Sequence, residues 1–242
     1  MGSPVEAKIS GQPRPPPRPR AILLKAGHLE RNEEGEILDA RSSVTLILAG
    51  TRKIVVDTGL EDERETIIDR LAGLGLSPED IDLVINTHGH PDHCGNNAIF
   101  TRARVLSGVG RGGGRLAGTQ EDKLERLEGM REDMGEDMGE DMREVVLKEG
   151  DVVAPGVWIM ETPGHTLDSI SVVCESSRRM VMAGDALPLM GNFLKWVPPR
   201  LHADRELALK SMARIVEVAD LVVPGHDSPF LVRERRRTAD LD

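Results

Sequence analysis

The run Thr87-His88-Gly89-His90-Pro91-Asp92-His93 places three of the chain's seven histidines and one carboxylate within seven residues. Imidazole is the commonest side-chain ligand for transition metals, and carboxylate is the hard oxygen donor that first-row divalent ions accept beside it. The spacing sends His88 and His90 one way and Asp92 and His93 another, which suits two adjacent cations better than one. A solvated loop would explain an isolated pair of histidines about as well. Three later segments weigh against that reading: Thr162-Pro163-Gly164-His165-Thr166, Ala183-Gly184-Asp185 and Pro224-Gly225-His226-Asp227. They bring the candidate donors to five histidines and two aspartates.

Something must hold these donors in place, and the flanking sequence says what. The apolar runs 81–85, 157–160, 180–183 and 221–223 each lead into one of the polar segments. A strand that ends in a Gly- or Pro-interrupted turn presents its terminal side chains rigidly. Residues 21–26, 43–49, 53–56 and 103–106 also read as strands. Residues 61–74 read as an amphipathic helix with Ile67, Ile68, Leu71 and Leu74 inward. Ser77-Pro78-Glu79-Asp80 carries the cap, first-turn proline and acidic signals of a short helix. Residues 96–100 close the histidine-rich loop, and 204–216 form a second long helix. Two strand-rich halves with outer helices give an α+β fold, an αββα sandwich of two mixed sheets.

With strand ends and donors in this order, the chain resembles the metallo-beta-lactamase superfamily from about residue 22 to residue 232. The resemblance rests on His-x-His-x-Asp-His followed by His, Asp and His on successive strand ends. It implies that His88, His90 and His165 hold one metal ion, that Asp92, His93 and His226 hold a second, and that Asp185 bridges them. Val55-Val56-Asp57-Thr58-Gly59 is similar to the family's strand-turn upstream of the metal loop. There Asp57, with Thr87, would steady the ligands from outside, although an Asp before Gly59 is also a plain turn former. Segments 164–165, 169–174, 182–185 and 218–230 are similar to one group within the superfamily, that of metallo-beta-lactamase domain-containing protein 1 and its prokaryotic relatives. Members of that group have been assigned RNA endonuclease activity.

The implied cofactor is a pair of Zn2+ ions, with iron or manganese as alternatives. Two such ions about 3.5 to 4 Å apart share a water, bring its pKa toward 7, and yield a hydroxide nucleophile without any Ser or Cys. Asp92 and Asp185 would orient it. The expected function is hydrolysis of a small ester, thioester or lactone. The alternative is an RNA phosphodiesterase with the same site, and a third reading is an iron-dependent oxidoreductase. The complete ligand set and the lack of a flavin domain weigh against the third. Departures from the family narrow the substrate. Asp185 stands where true beta-lactamases place Cys or Ser, there is no Tyr of the kind several lactonases and glutathione thioesterases use, and only 40 residues separate Asp185 from His226. Large nuclease relatives insert a second domain there. His202, just before the second long helix, is a candidate general acid, with an exposed loop histidine as the plainer reading. His28 reads as a surface turn residue. Phe193, Lys195 and Trp196 share a loop that would roof a pocket or pack on the core.

The chain of 242 residues suits one hydrolase domain, 21–242, behind a Pro/Arg-rich arm, 1–20, with an acidic Met-rich insertion at 121–144. That insertion holds eleven acidic and four basic residues, so it accounts for most of the net charge of −10. Met130, Met134, Met138 and Met142 would line one stripe of a helix, packed on the sandwich in preference to forming a mobile lid. The net charge argues against broad nucleic-acid affinity, although arginines at 14, 18, 20, 233, 235, 236 and 237 could meet phosphates. A small-molecule substrate is therefore expected first and RNA second, with a homo-oligomer compatible. No apolar run reaches the roughly 18 residues of a membrane span, and the first twenty residues lack a signal-peptide core. With two cysteines, Cys94 and Cys174, a cytoplasmic protein without membrane contact is expected, and Cys94 reads as a small packed residue.

Overall fold

The computed structural model describes residues 17–108 and 146–232. The acidic insertion at 121–144, residues 1–16 of the arm and the arginines at 233–237 lie outside the described residues. Five strands form the first sheet in the order β1 (Arg20–Lys25), β4 (Val44–Ala49), β5 (Arg52–Val56), β6 (Leu83–Ile85) and β7 (Arg104–Leu106). Six form the second, β13 (Phe230–Leu231), β12 (Leu221–Pro224), β11 (Arg179–Gly184), β10 (Ile170–Glu175), β9 (Val157–Glu161) and β8 (Val152–Ala154). Both sheets mix parallel and antiparallel pairs. A separate hairpin joins β2 (His28–Arg31) to β3 (Ile37–Arg41).

Period-two alternation sorts the strand residues into layers. Ile54 and Val56 face the second sheet, where they meet Val172, Met182 and Val223 in the central core. Val55 and Val84, on the other face, pack with Ile67 and Leu71 of α1 (Arg64–Ala72). On the far side, Val181 and Val222 pack with Met212 and Ile215 of α4 (Arg205–Val218). The result is an α+β sandwich layered αββα, as the strand and helix pattern implies. Asp204 caps α4 by accepting a hydrogen bond from Leu207 N at 2.9 Å, which explains why that helix starts where it does.

Three local expectations need correction. The first helix spans nine residues because Glu61–Glu63 wind as a tighter 3-10 turn, and only Ile67 and Leu71 are buried. Ile68 and Leu74 are exposed, the one about 100° round the helix from Ile67 and the other past the helix end, just before the left-handed turn at Gly75 (φ 74°). His28 opens a strand opposite Arg41 and does not sit in a turn. Phe193 and Lys195 belong to a helix, α3 (Met190–Lys195), which Trp196 terminates in the left-handed conformation at φ 51°. Phe193 therefore does not roof a pocket: it is fully buried and stacks on Phe230, with ring centroids 5.1 Å apart. Phe193→Ala should destabilise the fold by about 3–5 kcal/mol, read by chemical denaturation. No described helix is long and apolar enough to cross a membrane.

Candidate metal centre

β9, β11 and β12 end at the same edge of the second sheet, since β9 and β11 both run opposite to β10 while β12 runs parallel to β11, and the segment after β6, which continues into α2 (Pro91–Cys94), meets them there. The turns after these four strands bring the seven predicted donors together. One group comprises His88, His90, His165 and Asp185, another Asp92, His93 and His226, with the donor atoms of each within 4.8 Å of one another. Asp185 reaches both: Oδ2 lies 3.3 Å from His165 Nε2, while Oδ1 lies 3.0 Å from His226 Nε2 and 3.4 Å from His93 Nε2. Asp92 Oδ2 lies 3.4 Å from His226 Nε2 and 3.6 Å from His93 Nε2. In the first group His90 Nδ1 sits 3.0 Å from His88 Nε2 and 3.1 Å from His165 Nε2.

The outward nitrogens fix which way the inward ones face. A carbonyl oxygen can only accept, so the ring nitrogen beside it must carry the proton. His165 Nδ1 donates to Leu201 O at 2.8 Å and His226 Nδ1 donates to Arg41 O at 3.0 Å. His93 Nδ1 donates to Asp57 Oδ2 at 2.8 Å. Each turns its Nε2 into the centre. Asp57 also accepts from Thr87 N at 2.8 Å and Thr87 Oγ1 at 2.9 Å, and Thr87 Oγ1 in turn lies 3.2 Å from His88 Nδ1. Asp57 holds a left-handed backbone at φ 55°, a conformation that costs a non-glycine residue about 1–3 kcal/mol and persists where surroundings over-determine it. Its three hydrogen bonds supply that constraint.

Electrostatics separate the two groups. Burial, with His93 nearby, pushes the His88 imidazole down to about 2, and burial also lowers His90, so both stay neutral donors. Burial opposes charge on His93 and His226 too, but the carboxylates of Asp57 and Asp185 raise the first well above its ordinary value, and Asp185 raises the second. Burial works to raise the Asp185 carboxyl, yet His226 and His93 hold it well below the usual range. The field at Asp185 thus favours positive charge. His93 Nε2 and Asp185 Oδ1 are buried and lack hydrogen-bond partners among the described residues. A tetrahedral site with bonds of about 2.0–2.1 Å places its ligand atoms about 3.3 Å apart. The 3.0 to 3.4 Å separations around Asp185 match that spacing, and the residues fit a pair of divalent cations.

Gly225 makes room for the shared carboxylate, because a Cβ there would lie 2.3 Å from Asp185 Oδ1. His90 is exposed, and Asp92 and Asp185 are half-buried, so the centre is reached from one side. A cavity of about 290 Å³ opens there, lined by His90, Asp92, His165, Asp185 and His226 on its floor. Leu29 and Ile37 from the β2–β3 hairpin, and Leu189 and Leu201 opposite, wall it. His202 is not brought to this centre. It is exposed, and its Nδ1 donates to Pro199 O at 2.6 Å. Cys94 is half-buried with its Sγ 3.2 Å from His90 O, so it supports the loop backbone and faces neither donor group.

Sequence reasoning missed the hairpin walls, Arg31 and Arg200 of the same cavity, and the two backbone carbonyls that orient His165 and His226. Arg41 shows why: its carbonyl serves His226 while its guanidinium pairs with Asp62 at 2.8 and 3.0 Å, and no motif records a backbone acceptor. Alternation of Leu29 with Ile37 across a Glu-rich turn was the available signal for the hairpin.

An αββα sandwich with this donor set at one edge is the architecture of a metal-dependent hydrolase. The chain belongs to the metallo-beta-lactamase superfamily, whose family model matches residues 39–226. It is 39% identical over 205 residues to a probable metallo-hydrolase of Methanocaldococcus jannaschii, covering 85% of each chain. It is 31% identical to human metallo-beta-lactamase domain-containing protein 1, over 87% of this chain and 81% of that one. Among solved structures, an N-acyl homoserine lactone hydrolase with the product N-hexanoyl-L-homoserine at its catalytic metal centre superposes with TM-score 0.62 at 23% identity, over 92% of this chain and 96% of that one. That likeness is one of fold. The protein is a metal-dependent hydrolase of this superfamily.

Proposed function

We propose that the protein hydrolyses a small carboxylic ester, thioester or lactone, using a dinuclear zinc centre. The observation that carries this is the cavity: at about 290 Å³ it lies at the small end of ligand sites, and its walls are apolar beside the donor-lined floor. A single-stranded nucleic acid requires an extended basic groove with stacking platforms, and among the described residues no Phe, Trp or Tyr lines this cavity. A Bacillus thuringiensis N-acyl homoserine lactonase, 32% identical over 173 residues that span 68% of this chain, supports the same substrate class.

His88, His90 and His165 would hold one cation, Asp92, His93 and His226 the other, with Asp185 shared. Bound there, the cations supply Lewis acidity toward the scissile carbonyl and lower the pKa of the attacking water. The protein's part is positional. Asp57, Leu201 O and Arg41 O hold three imidazoles with Nε2 aimed inward. Asp92 and Asp185 would orient the attacking water, and Leu29, Ile37 and Leu201 line the cavity around the acyl group. The nitrogen-rich donor set suits zinc, and iron or manganese accept the same atoms.

The test is to offer metal-replete protein a panel of esters, thioesters and lactones alongside end-labelled single-stranded RNA. The expected result is chelator-sensitive hydrolysis of at least one carboxylic class with the RNA intact. Chelator-sensitive RNA fragments with the whole panel untouched would overturn the proposal in favour of a phosphodiesterase.

A further inference from the structure

The cavity carries two cations that the hydrolytic centre does not use. Arg31 ends β2, Arg200 lies on the opposite wall just before Leu201, and both line the cavity with the metal-ligand candidates. Arg31 Nη1 donates to Gly35 O at 2.9 Å, and Arg200 Nη1 donates to the same oxygen at 2.7 Å. Two positive groups thus meet on one neutral acceptor, their Nη1 atoms no more than 5.6 Å apart because the two bonds measure 2.9 and 2.7 Å. Neither has a carboxylate partner among the described residues, and the hairpin's Glu36 is engaged by Asn32 Nδ2 at 2.8 Å. Each guanidinium has five N–H donors, of which one is spent on Gly35.

The arrangement is built. Gly35 sits at φ 82°, and a Cβ there would lie 2.0 Å from Arg200 Nη1, so glycine serves both the hairpin turn and the approach of the guanidinium. The hairpin closes over the cavity with Arg31 and Arg200 brought together from residues 169 positions apart in the chain. Like charges held together at a cavity rim, with donors unspent, are the usual equipment for recognising an anionic oxygen group, for which the planar fork of Arg is matched.

Resting on the proposed hydrolysis of a carboxylic ester, thioester or lactone, we infer that Arg31 and Arg200 form a specificity site for an anionic group, carboxylate or phosphate, carried by the acyl or leaving part of the substrate. The group lies across the apolar walls from the scissile carbonyl. The arginines bind and orient, and they take no part in proton transfer.

The experiment compares metal-replete wild type, R31Q, R200Q and R31Q/R200Q on matched esters, thioesters and lactones that end in a carboxylate, a phosphate or a neutral methyl group. Wild type is expected to prefer one anionic series over the neutral one by about 10-fold or more in kcat/KM, and the double variant to lose about 10- to 100-fold on that series, mainly through KM. Neutral substrates should change less than about 2-fold. The arm that responds identifies the anion. A second readout is calorimetric binding of glutarate and of inorganic phosphate, with metal content checked: the double variant should bind the preferred anion more weakly at unchanged metal content. Equal kcat/KM on neutral and anionic series, or anion binding unaltered in R31Q/R200Q, would overturn the inference and leave the hydrolase reading in place. If no ester, thioester or lactone is cleaved, the hydrolase reading fails, and the binding arm still decides whether the arginines recognise anions.

Discussion

Replacing Asp185 by Asn is expected to lower kcat by roughly 10³-fold or more, at or beyond the loss that follows removal of one preorganised electrostatic stabiliser. The reason lies in the two oxygens. Oδ2 faces His165 at 3.3 Å and Oδ1 faces His226 at 3.0 Å and His93 at 3.4 Å, so a single carboxylate serves both donor groups. Asn keeps the shape but removes the charge that would face two cations, and it turns an amide donor toward an imidazole nitrogen. Gly225 leaves no slack for a compensating shift, since even a methyl would lie 2.3 Å from Oδ1. Steady-state kinetics on protein of measured metal content check this. Near wild-type turnover in metal-replete D185N would refute the shared role of Asp185.

Asp57→Asn should weaken binding of the cation that Asp92, His93 and His226 would hold by about 10- to 100-fold, the usual cost of losing a partner that orients a ligand. The substitution separates two roles for this residue. As a turn former, Asn would do at least as well, because it tolerates the left-handed backbone that Asp57 adopts at φ 55°. As the charged acceptor behind His93 Nδ1 at 2.8 Å, it would fail, since a neutral amide oxygen supports the imidazole less and the adjacent NH2 opposes Thr87 or His93 as a second donor. Competitive titration against a chromophoric chelator measures the effect, with thermal unfolding as the control for the turn. Unchanged metal affinity would assign Asp57 to the turn alone.

The seven donors stand out in the sequence because a strand end followed by Gly or Pro is a local signal, and His88 to His93 compress four donors into one turn. The layers were also readable, since Val55 and Val222 face outward while Val56 and Val223 face inward by simple alternation. The buried stripe of α1 is narrower than the apolar pattern because Ile68 lies about 100° round the helix from Ile67 and so falls off the buried face. Phe193 was misplaced for a related reason. A six-residue helix has too few turns to show a period, so a buried aromatic reads as part of a loop. The orienting carbonyls of Arg41 and Leu201, and the meeting of Arg31 with Arg200, depend on chain segments distant in sequence, and their chemistry belongs to backbone position more than to residue type.

The central claim is that two cations bind at the edge where β9, β11 and β12 end and the segment after β6 meets them, and that hydrolysis depends on those cations. The direct measurement is to strip the protein with a chelator and titrate zinc back while recording bound metal and turnover of the best carboxylic substrate together. Hydrolysis should vanish on stripping and return in step with occupancy, levelling off at about two zinc ions per chain, one for each donor group. Full turnover in the metal-free protein, or zinc uptake at two per chain with no hydrolysis of any ester, thioester, lactone or phosphodiester, would contradict it.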